Sequence, residues 1–291
     1  MQGRPGVRFK GNNMAINLAG LEMKNPVTVA SGTFGFGLEF ADLVPLEKLG
    51  AITTKTVTIK PRKGNPQPRL MEVVNGLVNF IGLQNDGVEY FIANYLPELK
   101  KIRTSIIVNI AGETIEEYAQ AADILCRQTG ISAIEVNISC PNVNKGCIAF
   151  GKDPAMTKEV ISAVRASCRL PLIAKLTPNV MDILPIAKAA LDGGADILSM
   201  INTVQHTTTI PGKNQAISGG LSGPTIKPTA LKLIGNVRAA FPGTPIIGMG
   251  GIMNTSDAKE FFAAGANAIA VGTANFVDPQ IVIGIIRDLE S

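Results

Sequence analysis

The sequence predicts an α/β protein built as a closed (β/α)8 barrel. Three observations carry this expectation. Eight short apolar runs, rich in Val, Ile and Ala, recur along the chain, and longer stretches of helical periodicity lie between them. Few polar residues alternate within the runs, as in strands buried on both faces of a parallel sheet. The 291 residues contain no dividing linker, and eight β/α units fit that length. An open, doubly wound sheet is the alternative. It carries G-x-G-x-x-G after its first strand, whereas here residues 32–37 read GTFGFG, which lacks that spacing.

The elements follow in order. Residues 1–13, MQGRPGVRFKGNN, are basic without an apolar core. They are no secretory signal and read as a disordered extension or an expression remnant, leaving residues 14–291 as the barrel domain. Predicted strands cover 26–31, 51–55, 105–110, 133–138, 172–176, 197–201, 245–248 and 268–272, with a further short strand near 78–82. Helical patterns cover 39–49, 88–102, 115–128, 155–167, 181–192, 227–241, 255–264 and 279–289. The Gly/Pro/Lys-rich stretches 60–68 and 211–223 follow strands and read as loops over the barrel mouth.

Composition bounds the function. A hydrophobic content of 46% and a mean hydropathy of +0.24 exclude intrinsic disorder. Lys and Arg number 27 against 23 Asp and Glu, a net +4 without a long basic run, and there is no Trp and only three Tyr. Nucleic-acid binding is therefore not indicated. No stretch approaches the ~18 apolar residues of a spanning helix, so no membrane role is expected. The cysteines are Cys126, Cys140, Cys147 and Cys168, without a C-x-x-C, and His206 is the single histidine. That set suits no metal site or iron–sulfur cluster held by this chain alone. Four cysteines make no disulfide framework in a chain this long, which points to a reducing cytoplasm. Cys126 and Cys168, on helical segments, read as small buried hydrophobes, and His206 as a loop residue.

Barrel chemistry sits at the carboxyl ends of strands. There the sequence places Ser31, Lys55, Thr56, Asn109, Asn137, Ser139, Cys140, Lys175, Asn202 and Thr203, then Gly250, Gly251, Gly272 and Thr273. Lys55 and Lys175 stand at or beside the ends of the runs 51–55 and 172–176, Lys175 directly after Ala174, where a buried cation needs an anionic partner. Two lysines and several amides at one mouth suit a planar, polar, anionic ligand. The glycines after the last two strands let backbone N–H groups approach a phosphate. A phosphate with a polar ring site suggests flavin mononucleotide (FMN). A sugar phosphate satisfies the same spacing. In Asn137-Ile138-Ser139-Cys140-Pro141-Asn142, a thiol just past a strand stands among polar residues, placed to enter the site.

These residues carry a resemblance. NISCPN at 137–142 resembles the catalytic loop of dihydroorotate dehydrogenases. The chain is similar to that family also through ASGTFG at 30–35, TTKTVT at 53–58, NPQPR at 65–69, NFIGLQN at 79–85, VNIAG at 108–112, AKLTPN at 174–179 and MINT at 200–203. GGLSGPTIKP at 219–228, GMGG at 248–251 and VGTANF at 271–276 look most like the NAD-linked class 1B. The resemblance implies a TIM barrel with FMN at its C-terminal mouth, oxidising dihydroorotate to orotate in pyrimidine biosynthesis. It implies Cys140 as the catalytic base. It implies Lys55, Asn79, Ile81, Gly82, Leu83, Asn137, Asn142, Asn202 and Thr203 as substrate contacts. It implies Ser31, Lys55, Thr56, Asn109, Asn137, Lys175, Ile201 and Gly223 as FMN contacts, with Gly250, Gly251, Gly272 and Thr273 at the phosphate. It implies a homodimer, or a heterotetramer with a second subunit carrying FAD and a [2Fe–2S] cluster, which passes electrons to NAD+. The fumarate-linked class 1A, a dihydropyrimidine dehydrogenase-like module and a non-catalytic flavin-binding barrel are the rivals. The segment 203–219 looks shorter than, and different from, the family's loop after MINT, which bears on the cover over the substrate.

Overall fold

Eight parallel strands wind about one axis in the computed structural model, which describes residues 14–138, 150–209 and 216–291. A hairpin comes first, β1 (Ile16–Leu18) and β2 (Leu21–Met23). The barrel strands are β3 (Val27–Val29), β4 (Ala51–Thr53), β7 (Ser105–Ile110), β8 (Ala133–Asn137), β9 (Leu172–Lys175), β10 (Ile197–Met200), β13 (Ile246–Met249) and β14 (Ala268–Val271). Their order is β3-β14-β13-β10-β9-β8-β7-β4. Between β3 and β4 the seam is closed by Gly50 N–H donating to Val27 O at 2.9 Å and by Thr28 Oγ1 donating to Ala51 O at 2.8 Å. Every barrel strand falls within one residue of a run that the apolar pattern marks.

Side chains alternate across each strand, so the barrel has two cores. Inside lie small and branched residues, Ala51, Ile107, Ala133, Ile173, Ile197, Ile247 and Ala268, sealed by Leu18, Leu21 and Met23 of the β1–β2 hairpin. Outside, Val27, Ile52, Ile134, Leu172, Leu198 and Ile269 meet the helices. Those helices begin where the sequence supplies caps: Thr114 accepts from Glu117 N–H, Asp153 from Met156 N–H and Asn254 from Asp257 N–H. Such caps satisfy backbone donors that the helix leaves open.

Several expectations need correction. Residues 39–49 form two short 3-10 turns, Leu38–Phe40 and Leu46–Lys48, rather than a helix. Pro45 between them lacks the backbone donor a continuous helix needs. The strand expected near 78–82 is β6 (Gly76–Asn79), and it lies outside the barrel, beside β5 (Leu70–Val73). The supposed loop beyond Thr203 contains β11 (Val204–Thr209) and β12 (Ala216–Ser222), so His206 sits on a strand, opposite Gly219. Together these make a four-stranded antiparallel sheet in the order β11-β12-β6-β5. Polar and glycine-rich sequences such as VQHTTT and AISGGLS hide it. Finally, Cys126 and Cys168 are bonded to each other with Cα atoms 5.6 Å apart, not free. The helices Ile115–Cys126 and Pro154–Ser167 pack together, and Cys126 ends the first while Cys168 follows the second.

Candidate active site

A cavity of about 230 Å3 opens at the carboxyl ends of the barrel strands. Ser31 and Thr33 reach it after β3, Lys55 and Thr56 after β4, and Asn202 and Thr203 after β10. Asn137 and Lys175 are the last residues of β8 and β9. The antiparallel sheet adds Leu70, Leu77, Asn79 and Ser222, and the segment after β6 adds residues 81–84. Phe276, about half exposed, stands at the rim. Ser31, Lys55, Thr56, Asn79, Ile81, Gly82, Leu83, Asn137, Lys175, Asn202 and Thr203 thus share one cavity.

Others stand behind its wall. Asn109 is fully buried and accepts a hydrogen bond from Thr56 Oγ1 at 2.6 Å. Ile201 is buried beside Gly250. Gly223, Gly250 and Gly251 have φ of 98°, 119° and 84°. At Gly251 an added Cβ would stand 2.8 Å from Gly223 O and from Lys227 Cβ, so chain against chain demands glycine there. Gly272 is different: an added Cβ would find nothing nearer than Ala30 Cβ at 3.5 Å. Thr273 Oγ1 donates to Ser222 Oγ at 2.8 Å and so ties this end of the barrel to the cavity wall. Cys140 and Asn142, with Ser139 and Cys147, lie outside the described residues.

The segment after β6 is fixed from below. Leu83 has φ of 58°, a left-handed conformation uncommon outside glycine, and Gly82 has φ of 73°. Asn85 holds this bend: its Nδ2 donates to Leu83 O and Thr58 Oγ1, each at 2.8 Å. Its Oδ1 accepts from Gly87 N–H at 2.9 Å and Thr58 N–H at 3.2 Å. Arg69 adds a brace, donating to Asn65 O, to Gln84 Oε1 at 2.5 Å and to Lys63 O at 2.9 Å.

Charge in the mouth is positive and partly buried. Burial lowers the Lys55 pKa below its ordinary 10.5, opposed by the negative charges of Glu39 and Asp86 and reinforced by Arg69. Tyr95 donates to Asp86 at 3.3 Å, and burial together with that carboxylate pushes its phenol up to about 12. Lys175 is buried, and its ammonium lies 3.6 Å from Glu135 Oε1. Glu135 in turn accepts from Asn109 Nδ2 at 2.5 Å and Ser199 Oγ at 2.7 Å. The amides interlock: Asn202 Nδ2 donates to Asn137 Oδ1 at 3.3 Å, and Tyr118 Oη donates to Asn137 O at 2.9 Å. Glu135, Ser199 and Asn85 are missing from the sequence-derived set. A lone Glu inside the apolar run AIEVN was the readable signal for the first. For Asn85, at the end of NFIGLQN, only the fold shows the role. Among the described residues no group of His, Cys, Asp and Glu could hold a metal ion, and no helix is long and apolar enough to cross a membrane.

Fold and site together define an α/β-barrel protein with a lysine- and amide-lined cavity at its carboxyl-terminal mouth. The chain belongs to the dihydroorotate dehydrogenase family, whose model matches residues 13–291. It is 51% identical over 282 residues to the catalytic subunit of dihydroorotate dehydrogenase B (NAD(+)) of Desulforamulus reducens, covering 96% of this chain and 92% of that protein. The subunit of the same name from Alkaliphilus metalliredigens is 50% identical over 282 residues, covering 96% of this chain and 93% of that one. The crystal structure of dihydroorotate dehydrogenase from Eimeria tenella, in complex with ferulenol, superposes with a TM-score of 0.80 at 22% identity. It covers 98% of this chain and 86% of that one, a likeness of fold.

Proposed function

We propose that this chain oxidises dihydroorotate to orotate with FMN at the barrel mouth, as the catalytic subunit of an NAD+-linked enzyme of pyrimidine biosynthesis. The observation that carries the reading is one cavity joining a buried Lys175, a half-buried Lys55 and the amides of Asn79, Asn137 and Asn202. The donor set fits the flavin: Lys175 lines the cavity with one ion pair, to Glu135 at 3.6 Å, and its N–H groups suit the polar edge of a ring.

The reaction removes a proton from C5 and a hydride from C6 of dihydroorotate, leaving the C5=C6 double bond of orotate. Bound FMN supplies the hydride acceptor. Lys55 sets a positive charge against the substrate carboxylate. Asn79, Asn137, Asn142 and Asn202 match the N–H and C=O groups of the pyrimidine ring, beside Thr203 and the backbone of Ile81, Gly82 and Leu83. Cys140 takes the C5 proton, because that carbon acid needs a base as hydride leaves. Ser31, Thr56, Asn109, Lys175, Ile201 and Gly223 would hold the flavin, and Gly250, Gly251, Gly272 and Thr273 would hold its phosphate. Residues 14–291 act as one cytoplasmic catalytic domain. It works as a homodimer, or in a heterotetramer whose FAD/[2Fe–2S] subunit delivers the electrons to NAD+.

The test is an anaerobic titration of the purified yellow protein with dihydroorotate, followed at the flavin absorbance. Bleaching near one equivalent per chain is expected. A folded, colourless protein, or a flavin that dihydroorotate leaves oxidised, would refute the reading. Subsequent NAD+ with the partner subunit, against fumarate alone, separates the two electron acceptors.

A further inference from the structure

Glu135 is the one carboxylate placed in the barrel interior beneath the mouth among the described residues. Strand register puts it there. Asn109 pairs with Glu135 across β7 and β8, Glu135 pairs with Ile173 across β8 and β9, and Ser199 pairs with Lys175 across β9 and β10. Paired residues face the same side and alternate residues return to it. Asn109, Glu135, Lys175 and Ser199 therefore all point inward, above the apolar layer of Ile107, Ala133, Ile173 and Ile197.

Their geometry is asymmetric. The Glu135 side chain is 3% exposed and that of Lys175 5%. Both carboxylate oxygens are engaged by neutral donors, Oε1 by Asn109 Nδ2 at 2.5 Å and Oε2 by Ser199 Oγ at 2.7 Å. The Lys175 ammonium stays 3.6 Å away, outside hydrogen-bond distance. Glu135 thus supplies the negative charge that a buried cation requires without taking up the cation's donors, and Lys175 lines the cavity. We propose that Glu135 is a positioning residue acting through Lys175. Pinned by Asn109 and Ser199, it offsets the lysine's charge while leaving the ammonium's hydrogen bonds to the ligand. It thereby sets how strongly the site favours the reduced, anionic cofactor. This inference rests on the FMN reading above.

The test is Glu135→Gln in the holoenzyme, with the two-electron reduction equilibrium of the bound FMN as readout. The amide keeps shape and an acceptor but removes the negative charge. The expected result is a shift toward reduced flavin by about tenfold, which is a potential raised by ~30 mV for a two-electron couple. Glu135→Asp, which restores the charge, is expected to return most of the way to wild type. If Glu135 only braces the barrel, thermal stability falls while the equilibrium stays within about twofold of wild type. That result, or a shift toward oxidised flavin, overturns the proposal. Should Glu135→Gln yield no folded protein, the double variant Glu135→Gln with Lys175→Gln removes both charges. Recovered folding supports the pairing, and continued failure to fold overturns it. A wild-type protein that takes up no FMN would sink the functional reading instead. The thermal stabilities of single and double variant, compared without ligand, then still decide whether the two charges are coupled.

Discussion

Asn85→Ala tests how the segment after β6 is built. Asn85 is buried, 5% exposed, and its amide makes hydrogen bonds to Leu83 O, Thr58 Oγ1, Thr58 N–H and Gly87 N–H. Alanine removes all of these and leaves backbone groups without the partner they had. At a net value of about 1 kcal/mol per bond, with some replaced by entering water, the loss comes to about 3 kcal/mol. For a chain of this size that corresponds to a Tm lowered by roughly 6 °C. The damage also has a direction. Leu83 is held in a left-handed conformation that costs of order 1–3 kcal/mol and persists only because its surroundings offset that cost. Without the bond to Leu83 O the bend relaxes, and residues 81–83 leave the cavity wall. The assay is a thermal melt with and without FMN, paired with steady-state kinetics on dihydroorotate. FMN content is expected to stay near one per chain, because Asn85 is not in the cavity wall, and KM to rise about tenfold. A Tm within 1–2 °C of wild type and an unchanged KM would show that the segment is held by something other than Asn85.

Four further outcomes are expected. Cys140→Ala keeps FMN but slows bleaching by dihydroorotate by on the order of 10²-fold or more, measured by anaerobic stopped flow; a wild-type rate removes Cys140 as the base. Gly82→Ala forces a side chain at φ 73° to within 2.8 Å of Asn65, so KM for dihydroorotate rises several-fold while FMN binding holds, as a flavin titration alongside kinetics would show. The proposed pairing with the substrate carboxylate uses Lys55 as a cation, and burial lowers its pKa below 10.5; KM is therefore expected to climb with pH earlier than an exposed lysine would dictate, and Lys55→Arg to abolish that climb. The stability sign is opposite: between the lowered folded value and 10.5 the unfolded chain binds more protons, so raising pH through that window favours the folded state. The Cys126–Cys168 bond closes a span of 42 residues, for which chain entropy gives about 4 kcal/mol; two thiols gained from this pair on reduction, with a lower Tm, are the check.

The sequence by itself determined the barrel. An apolar run between two covered faces admits no polar alternation, so eight such runs separated by helical patterns left one economical architecture. It also determined most of the mouth, since a residue that ends a parallel strand in a barrel must face the carboxyl end. Ser31, Lys55, Asn137, Lys175 and Asn202 follow from that rule alone. The tertiary structure decided what depends on partners distant in the chain. The sheet of β5, β6, β11 and β12 brings Asn79 to Gly220 O at 3.1 Å across 141 residues, and no local pattern in its polar strands announces it. The Cys126–Cys168 bond needed two helices side by side, and Glu135 needed the register of the four strands β7 to β10 to meet Asn109, Lys175 and Ser199. Periodicity records which face of an element is buried; only the closed fold fixes which buried groups touch.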